Sequence, residues 1–166
     1  MRKISFLFFT LFLLLACEKK PASPVYPKGL WEYSGDLPNG REVVFRVTVA
    51  EDLPFVRSIG FAAPNQEFTP ELYAQFQKKL EQHFAGIPEM LMRYEGNIFY
   101  GIGDVHEGKE FLKYVEEDDT MISLQEASKG LVLRRVEKFT PIAFPRLEEK
   151  IKNASTKNST SSPTIP

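Results

Sequence analysis

Cysteine is nearly absent from this chain, which has a single one among 166 residues. A disulfide within one chain is therefore excluded, and the fold has to be held by packing of its hydrophobic residues, which make up 43% of the sequence. An excess of charge of one sign is also missing, because 21 basic and 22 acidic side chains leave a formal net charge of −1. The basic residues are scattered along the chain, so we expect no nucleic-acid partner.

Catalytic and cofactor motifs are absent as well. No serine stands in a G-x-S-x-G elbow, and no glycine-rich phosphate loop opens a helix. Of the two histidines, His83 lies near the end of a predicted helix, whereas "GIGDVHEGKE" brings His106 together with Asp104 and Glu107. Such a group has metal-ligand and base chemistry, but its glycines and its position between strands favour a polar hairpin turn. We therefore predict that the protein is not an enzyme and has no metal site and no cofactor.

The first residues have the pattern of a targeting signal. Arg2 and Lys3 precede an apolar run over residues 4–16, which as a helix reaches about 20 Å, short of the ~30 Å hydrocarbon core of a bilayer. A charged start, a short apolar run and a small residue before the break are typical of a cleaved secretory signal. The junction Leu14-Leu15-Ala16-Cys17 is similar to the lipobox of bacterial lipoproteins.

That resemblance implies a location. Residues 1–16 would be removed as a signal peptide, and Cys17 would carry the acyl chains, palmitate among them, that anchor the protein to a membrane of the bacterial cell envelope. Two or more acyl chains hold a protein firmly, whereas one holds it only reversibly. Which membrane and which face are left open. The alternatives are a plain signal peptide with a chance cysteine and a short uncleaved anchor.

The two ends of the mature chain have compositions typical of unpacked segments. "EKKPASPVYPK" has prolines three residues apart, which favours an extended tether over residues 17–28. "NASTKNSTSSPTIP" is rich in serine and threonine, so residues 147–166 are predicted to be mostly disordered. Only the preceding "FPRLEEKIK" has the pattern of a short helix. A single domain is expected at residues 29–146.

Within that domain the dominant period is two. In "REVVFRVTVA" the alternate residues from Val43 to Val49 share one face. Asn39-Gly40 and Gly96-Asn97 are pairs that favour two-residue hairpin turns. The pattern predicts a mainly β fold, an antiparallel meander of about eight short strands, with the last three near residues 109–116, 120–126 and 131–137.

One α-helix is predicted near residues 70–85, between the third and fourth strands. Thr69 is a good N-cap, Pro70 suits the first helical position, and Glu71 lies where the helix dipole favours an acid. The helix has one apolar stripe, which predicts that it packs on the sheet. The stripe consists of Leu72, Tyr73, Phe76, Leu80 and Phe84.

Closing the eight strands into a small barrel would remove the exposed sheet edges. Gly29-Leu30-Trp31 resembles the G-x-W of the first lipocalin strand, and Arg134 or Arg135 resembles the arginine of the last strand that packs over that tryptophan. The chain departs from the lipocalin pattern in lacking a T-D-Y-like motif and in carrying the inserted helix. An open sandwich or a half-barrel around the helix remains as an alternative.

Two hypotheses for function follow. A hollow barrel would sequester a small apolar ligand, with an interior lined by Phe45, Val47, Phe99, Tyr114 and Leu124. A filled barrel would instead act as an interaction or structural module that presents its surface to an envelope protein or an extracellular partner. On either hypothesis the opposite faces of the strands are predicted to be solvated, and these carry Arg46, Thr48, Lys113, Ser123 and Gln125.

Overall fold

The structure, a computed structural model, describes residues 25–159, with side chains as far as residue 156. The predicted signal peptide, the lipobox with Cys17, most of the tether and residues 160–166 lie outside the described residues. Eight strands pair antiparallel in chain order and close into a barrel, so the predicted mainly β meander with an inserted helix is confirmed. The strands are β1 Gly29–Asp36, β2 Glu42–Val49, β3 Phe55–Ala62, β4 Met90–Glu95, β5 Ile98–Gly101, β6 Glu110–Val115, β7 Thr120–Ser123 and β8 Val132–Val136. The helices are α1 Pro70–Gly86 and α2 Pro145–Ser159.

Hairpins form at both predicted positions, but only the turn at Gly96-Asn97 has two residues, because the connection between β1 and β2 covers residues 37–41. Gly96 and Asn97 join β4 to β5 with φ angles of 56° and 65°, and positive φ at both central residues is the signature of a type I′ turn. Between β1 and β2, Gly40 has a φ of 75°, and its N–H donates to the carbonyl of Leu37 over 2.8 Å. These turns fix the register of their strands, for example Tyr94 opposite Phe99.

The barrel closes where β1 meets β8, with Trp31 opposite Arg135 in the pairing. Since neighbouring strands are antiparallel, the connections alternate between the two ends of the barrel. We name the end at which β1 begins the tether end; it also carries the turns that follow β2, β4 and β6. The far end carries the connections that follow β1, β3, β5 and β7, including the loop at residues 102–109 between β5 and β6.

Outside the barrel, α1 and the chain after β8 cover the outer face of β2 and β3. Thr69 caps α1, because its hydroxyl oxygen accepts the N–H of Leu72 over 3.3 Å. Four of the five stripe residues then pack on a second hydrophobic cluster, separate from the barrel interior, as the predicted amphipathic pattern requires. The exception is Leu72, which is 52% exposed and lies outside this cluster. The buried members of this outer cluster are Val44, Phe61, Tyr73, Phe84, Ile142, Phe144, Leu147 and Ile151.

The end of the chain differs from the prediction. Residues 147–166 were expected to be mostly disordered, but residues as far as Ser159 form α2. Leu147 and Ile151, one turn apart on that helix, are buried in the outer cluster, and this packing offsets the weak helix propensity of the serines and threonines that follow. The folded unit therefore extends beyond the expected boundaries at 29 and 146, since Tyr26 also belongs to the interior core.

The outer face of β2 is not solvated at Arg46, contrary to the prediction. This side chain is only 1% exposed and is held by two carboxylates and one backbone carbonyl from three parts of the chain. Its Nε donates to Glu32 of β1 over 2.8 Å, its Nη1 donates to Glu81 of α1 over 2.7 Å, and its Nη2 donates to the carbonyl of Thr140. Ser123 is also fully buried, because it faces inward from β7 and its hydroxyl bonds that of Ser128 over 2.6 Å.

Two aromatic rings enclose the Arg46 guanidinium. Its central carbon lies 4.8 Å from the ring centre of Phe139 and 5.6 Å from that of Phe84, which are distances of cation–π contacts. The carboxylate of Glu81 also accepts the backbone N–H of Ile142 over 2.7 Å. The buried charge is thus satisfied on every side, and it joins the barrel, α1 and the segment after β8 into one unit.

We predict that Arg46→Met lowers the free energy of unfolding by about 3–5 kcal/mol, since removing one member of a buried ion pair leaves the other charge without its partner. Urea denaturation of both proteins measures this difference. Arg93→Met is the matched control, because Arg93 and its partner Glu95 are 3.9 Å apart and mostly exposed, and such pairs contribute within about 1 kcal/mol. Equal midpoints for Arg46→Met and the wild type would contradict the role of this network.

Candidate functional site

The barrel interior is built from one face of each strand. Phe45, Val47 and Phe99, expected as ligand contacts, are buried members of the interior cluster. Tyr114 packs against the same cluster from a half-buried position. Leu124 does not belong to it, because β7 ends at Ser123 and Leu124 follows in the connection to β8.

Side chains fill this interior. Trp31, Met92, Leu112, Met121 and Leu133 are at most 2% exposed, together with Val47 and Phe99. Glycines stand where rings need room: a Cβ on Gly60 would lie 2.9 Å from the ring of Phe45, and a Cβ on Gly101 would overlap Phe111 and the backbone of His106. Small barrels pack their cores by alternating large residues with small ones such as glycine. Of the five expected lining residues, three therefore belong to the packed core, Tyr114 lies at its edge and Leu124 lies outside it.

At the tether end, an arginine closes the barrel. The guanidinium carbon of Arg135 lies 4.3 Å from the ring centre of Trp31, which is the contact expected from the lipocalin-like pattern, and Trp31 is fully buried. Arg134 does not take part in this contact. It lies opposite Glu32 and Thr120 in the strand pairing, and its side chain is exposed. Nη1 of Arg135 also donates to the carbonyl of Lys28, so the closure holds the incoming chain as well.

Asp119 sets the position of that arginine. Its carboxylate accepts Nε–H of Arg135 over 2.5 Å and the hydroxyl of Tyr114 over 2.9 Å. The hydrogen bond from Arg135 holds the pKa of Asp119 below its usual range, while burial raises the pKa of Tyr114. Asp119 adopts a positive φ of 48° in the turn after β6, a conformation that aspartate tolerates. At neutral pH, Asp119 and Arg135 are therefore both ionised while Tyr114 is neutral, and the three side chains together act as a structural clamp.

A cleft opens at the far end, where the loop at residues 102–109 faces the start of β4. Its volume is about 290 Å³. The floor contains Met92 and Phe111 of the interior core, and the rim contains the half-exposed Leu91 and Ile102. We name this cleft and the neighbouring loop residue Val105 the far rim. The sequence analysis did not predict the far rim, although Ile102 and Val105 indicate it as large apolar residues inside an otherwise polar turn.

His106 is the one titratable side chain among the cleft residues. Its ring meets that of Phe111 edge-on, with centroids 5.5 Å apart. Asp104 and Glu107 do not join it around a common point, and Glu107 instead accepts the N–H of Gly103 over 3.1 Å. Among the described residues, no group of three or more histidine, cysteine, aspartate or glutamate side chains is arranged to hold a metal ion.

A second, wider groove of about 560 Å³ runs between α1 and α2. Tyr73, Ala74 and Ile151 line it, and Glu148 and Lys152 put opposite charges on one side. The hydroxyl of Tyr73 accepts the N–H of Phe144 over 3.0 Å, and burial raises the pKa of Tyr73 to about 12. The tyrosine therefore stays neutral and serves the helix packing.

Neither helix within residues 25–159 is long and apolar enough to cross a membrane. Comparison with protein-family models, with curated proteins and with solved structures finds no match of any kind. The function of the protein is therefore inferred from its own residues.

We predict that Trp31→Ala destabilises the protein by about 3–5 kcal/mol, the range for removing a buried large aromatic side chain. Trp31→Phe should cost much less, because the indole Nε1 is buried without a hydrogen-bond partner in the described part of the chain and a phenyl ring retains most of the packing. Thermal unfolding followed by circular dichroism gives both values. A Trp31→Ala melting temperature equal to the wild type would rule out the closure described here.

Proposed function

We propose that this protein is a lipid-anchored, non-enzymatic component of the bacterial cell envelope, which uses its barrel as a rigid scaffold to bind another envelope protein. The anchor is supported by the lipobox-like Leu14-Leu15-Ala16-Cys17 at the end of a short apolar run. The absence of a recognisable catalytic motif from the sequence supports a binding role, and the charge balance gives no reason to expect nucleic acid.

The single observation that carries the proposal is the filled interior. A carrier of a small apolar molecule needs an enclosed space of roughly 300 Å³ or more, and an eight-stranded barrel is wide enough either to hold one small ligand or to be filled by side chains. Here Trp31, Phe45 and Phe99 occupy the interior together with methionine and leucine side chains. This favours the surface of the barrel, and not its interior, as the binding region.

The two ends of the barrel fit different roles. Tyr26, which precedes β1 at the tether end, donates from its hydroxyl to the carbonyl of Glu51 over 3.1 Å, and Lys28 is held by Arg135. A lipid on Cys17 would therefore hold this end near the membrane through a short proline-containing tether. The far rim then points away from the membrane, where a partner can reach it.

The anchor is tested by Cys17→Ser in cells of a bacterium that processes lipoproteins. We expect the wild type to sediment with membranes and to carry an N-terminal mass increase equal to its acyl groups, because two or more chains give stable anchoring. Cys17→Ser should lose that mass, because serine has no thiol to carry the lipid. Ser23→Ala, a change in the tether outside the lipobox, is the control and should behave as the wild type.

Two results would refute the anchor. One is a wild-type protein without acyl mass, and the other is a Cys17→Ser protein that sediments with membranes and still carries the N-terminal mass increase. Unchanged melting temperature is expected for both variants, since both positions precede the first barrel strand in the sequence.

A further inference from the structure

We infer that the far rim is the partner-binding surface, and that it binds one large apolar side chain from a protein segment whose flanking residues are basic. This inference rests on the proposed interaction role and names the surface and the chemistry of the partner. It is drawn from three properties of the far rim: its apolar exposure, its preformed loop and its charge.

Large apolar side chains are exposed here without a described partner to cover them. Val105 is 71% exposed, Ile102 48% and Leu91 44%, and all three lie at or beside a cleft with an apolar floor. Isolated exposed apolar residues are ordinary, but a group of them around a cleft is typical of a binding site. Methionines such as Met90 and Met92 adapt their shape to the group that enters.

The loop that forms one wall of the cleft is held by hydrogen bonds between its own backbone groups. At its base, the N–H of Gly101 donates to the carbonyl of Lys109 over 2.9 Å. Within it, the N–H of His106 donates to the carbonyl of Gly103 over 2.9 Å, and the N–H of Lys109 donates to the carbonyl of His106 over 3.0 Å. Because Gly101 lacks a Cβ, the backbone of His106 lies directly against it. A wall held in this way needs little further ordering on binding, which lowers the entropic cost of association.

The size of the cleft favours one side chain of a larger molecule. Its volume of about 290 Å³ lies at the lower limit for small-molecule pockets, and Val105 extends the apolar surface beyond it. A free small molecule would leave that outer part in water. A side chain from a protein segment would fill the cleft while the segment itself covers Val105, as aromatic anchors do at interfaces.

The charge of the rim selects the flanking residues of the segment. From Gly101 to Phe111 the chain carries three carboxylates, of Asp104, Glu107 and Glu110, and one ammonium group, of Lys109, so its net charge is −2 with His106 neutral. All four charged residues are exposed. Complementary charge speeds association and suppresses wrong partners, so lysine or arginine beside the anchor would be favoured. The groove between α1 and α2 does not favour a charged partner of either sign, because it is lined by one acidic residue, Glu148, and one basic residue, Lys152.

The test uses the mature chain, residues 17–166, with Cys17→Ser, which carries neither the apolar run of residues 4–16 nor an acyl chain, labelled with ¹³C at the methionine methyl groups. Met90 and Met92 line the cleft, whereas Met121 is fully buried in the interior and serves as an internal control. The probes are a short peptide with a central tryptophan between lysines, the same peptide with glutamates, the lysine peptide with alanine in place of tryptophan, and indole alone.

We expect the lysine–tryptophan peptide to shift the signals of Met90 and Met92 and to leave that of Met121 unchanged. The glutamate peptide and the alanine peptide should each bind about tenfold more weakly or worse, which corresponds to about 1.4 kcal/mol. Ile102→Gln should weaken binding of the lysine–tryptophan peptide by a similar factor. Val132→Gln is the matched control, because Val132 is 44% exposed on β8 outside the cleft. The affinity of this variant for the lysine–tryptophan peptide should stay within about twofold of that of the protein without the substitution.

Four results would overturn the inference. They are the absence of any shift at Met90 and Met92, equal binding of indole and the peptide, equal loss of binding in the two glutamine variants, and shifts that depend on protein concentration without peptide. Equal binding of indole would make the cleft a small-molecule site, and concentration-dependent shifts would assign it to a second copy of the chain. None of these results bears on the membrane fractionation of the Cys17→Ser variant, so the anchor stands or falls separately.

Discussion

The buried guanidinium of Arg46 is the constraint on which the outer half of this structure depends. A charge removed from water is destabilising unless hydrogen bonds and opposite charges surround it, and β2 by itself supplies neither. The carboxylates come from Glu32 on β1 and Glu81 on α1, and the last acceptor comes from Thr140 after β8. The helix inserted between β3 and β4 and the chain that follows the barrel must therefore both return to the same face. Hydrophobic contacts in the outer cluster give most of the packing free energy, while the arginine specifies which segments meet and at what position.

Local chemistry explains why much of the fold could be predicted from sequence. The two-residue period of β2, the turn pairs Asn39-Gly40 and Gly96-Asn97, and the Thr69-Pro70 helix start each act through a few neighbouring residues. The errors lie where tertiary packing decides. A serine- and threonine-rich end forms α2 because Leu147 and Ile151 find a place in the outer cluster, which no property of the segment alone reveals. Alternation along β2 predicted two faces correctly, but it could not predict that the second face is covered by α1.

In the candidate site, too, the features set by neighbouring residues could be predicted, and those set by tertiary packing could not. The inward position of Phe45, Val47 and Phe99 followed from strand alternation, whereas the difference between a hollow and a filled barrel depends on which residues meet across it. Gly60 opposite Phe45 and Gly101 against Phe111 let rings occupy space that a ligand would need, and alternation within one strand does not show which glycine meets which ring. Leu124 was assigned to the interior and Ser123 to the outer face, but Met121 and Ser123 take the inward positions of β7, and the strand ends at Ser123. The far rim was not predicted because β4, β5 and the following loop form it together.

A filled barrel has a mechanical consequence for a tethered protein. Its interior is continuous from the clamp of Trp31 and Arg135 at the tether end to Met92 and Phe111 beneath the far rim, and close-packed interiors deform little. The far rim is consequently held at a fixed position and orientation relative to the point where the chain enters at Gly29. If Cys17 carries the proposed anchor, the distance between the far rim and the membrane depends on the short sequence between Cys17 and β1, whose prolines three residues apart favour an extended tether. A rigid barrel on such a tether would suit the capture of a partner at a defined height above a membrane, because it would confine the two binding surfaces to a thin layer and raise their effective concentration there.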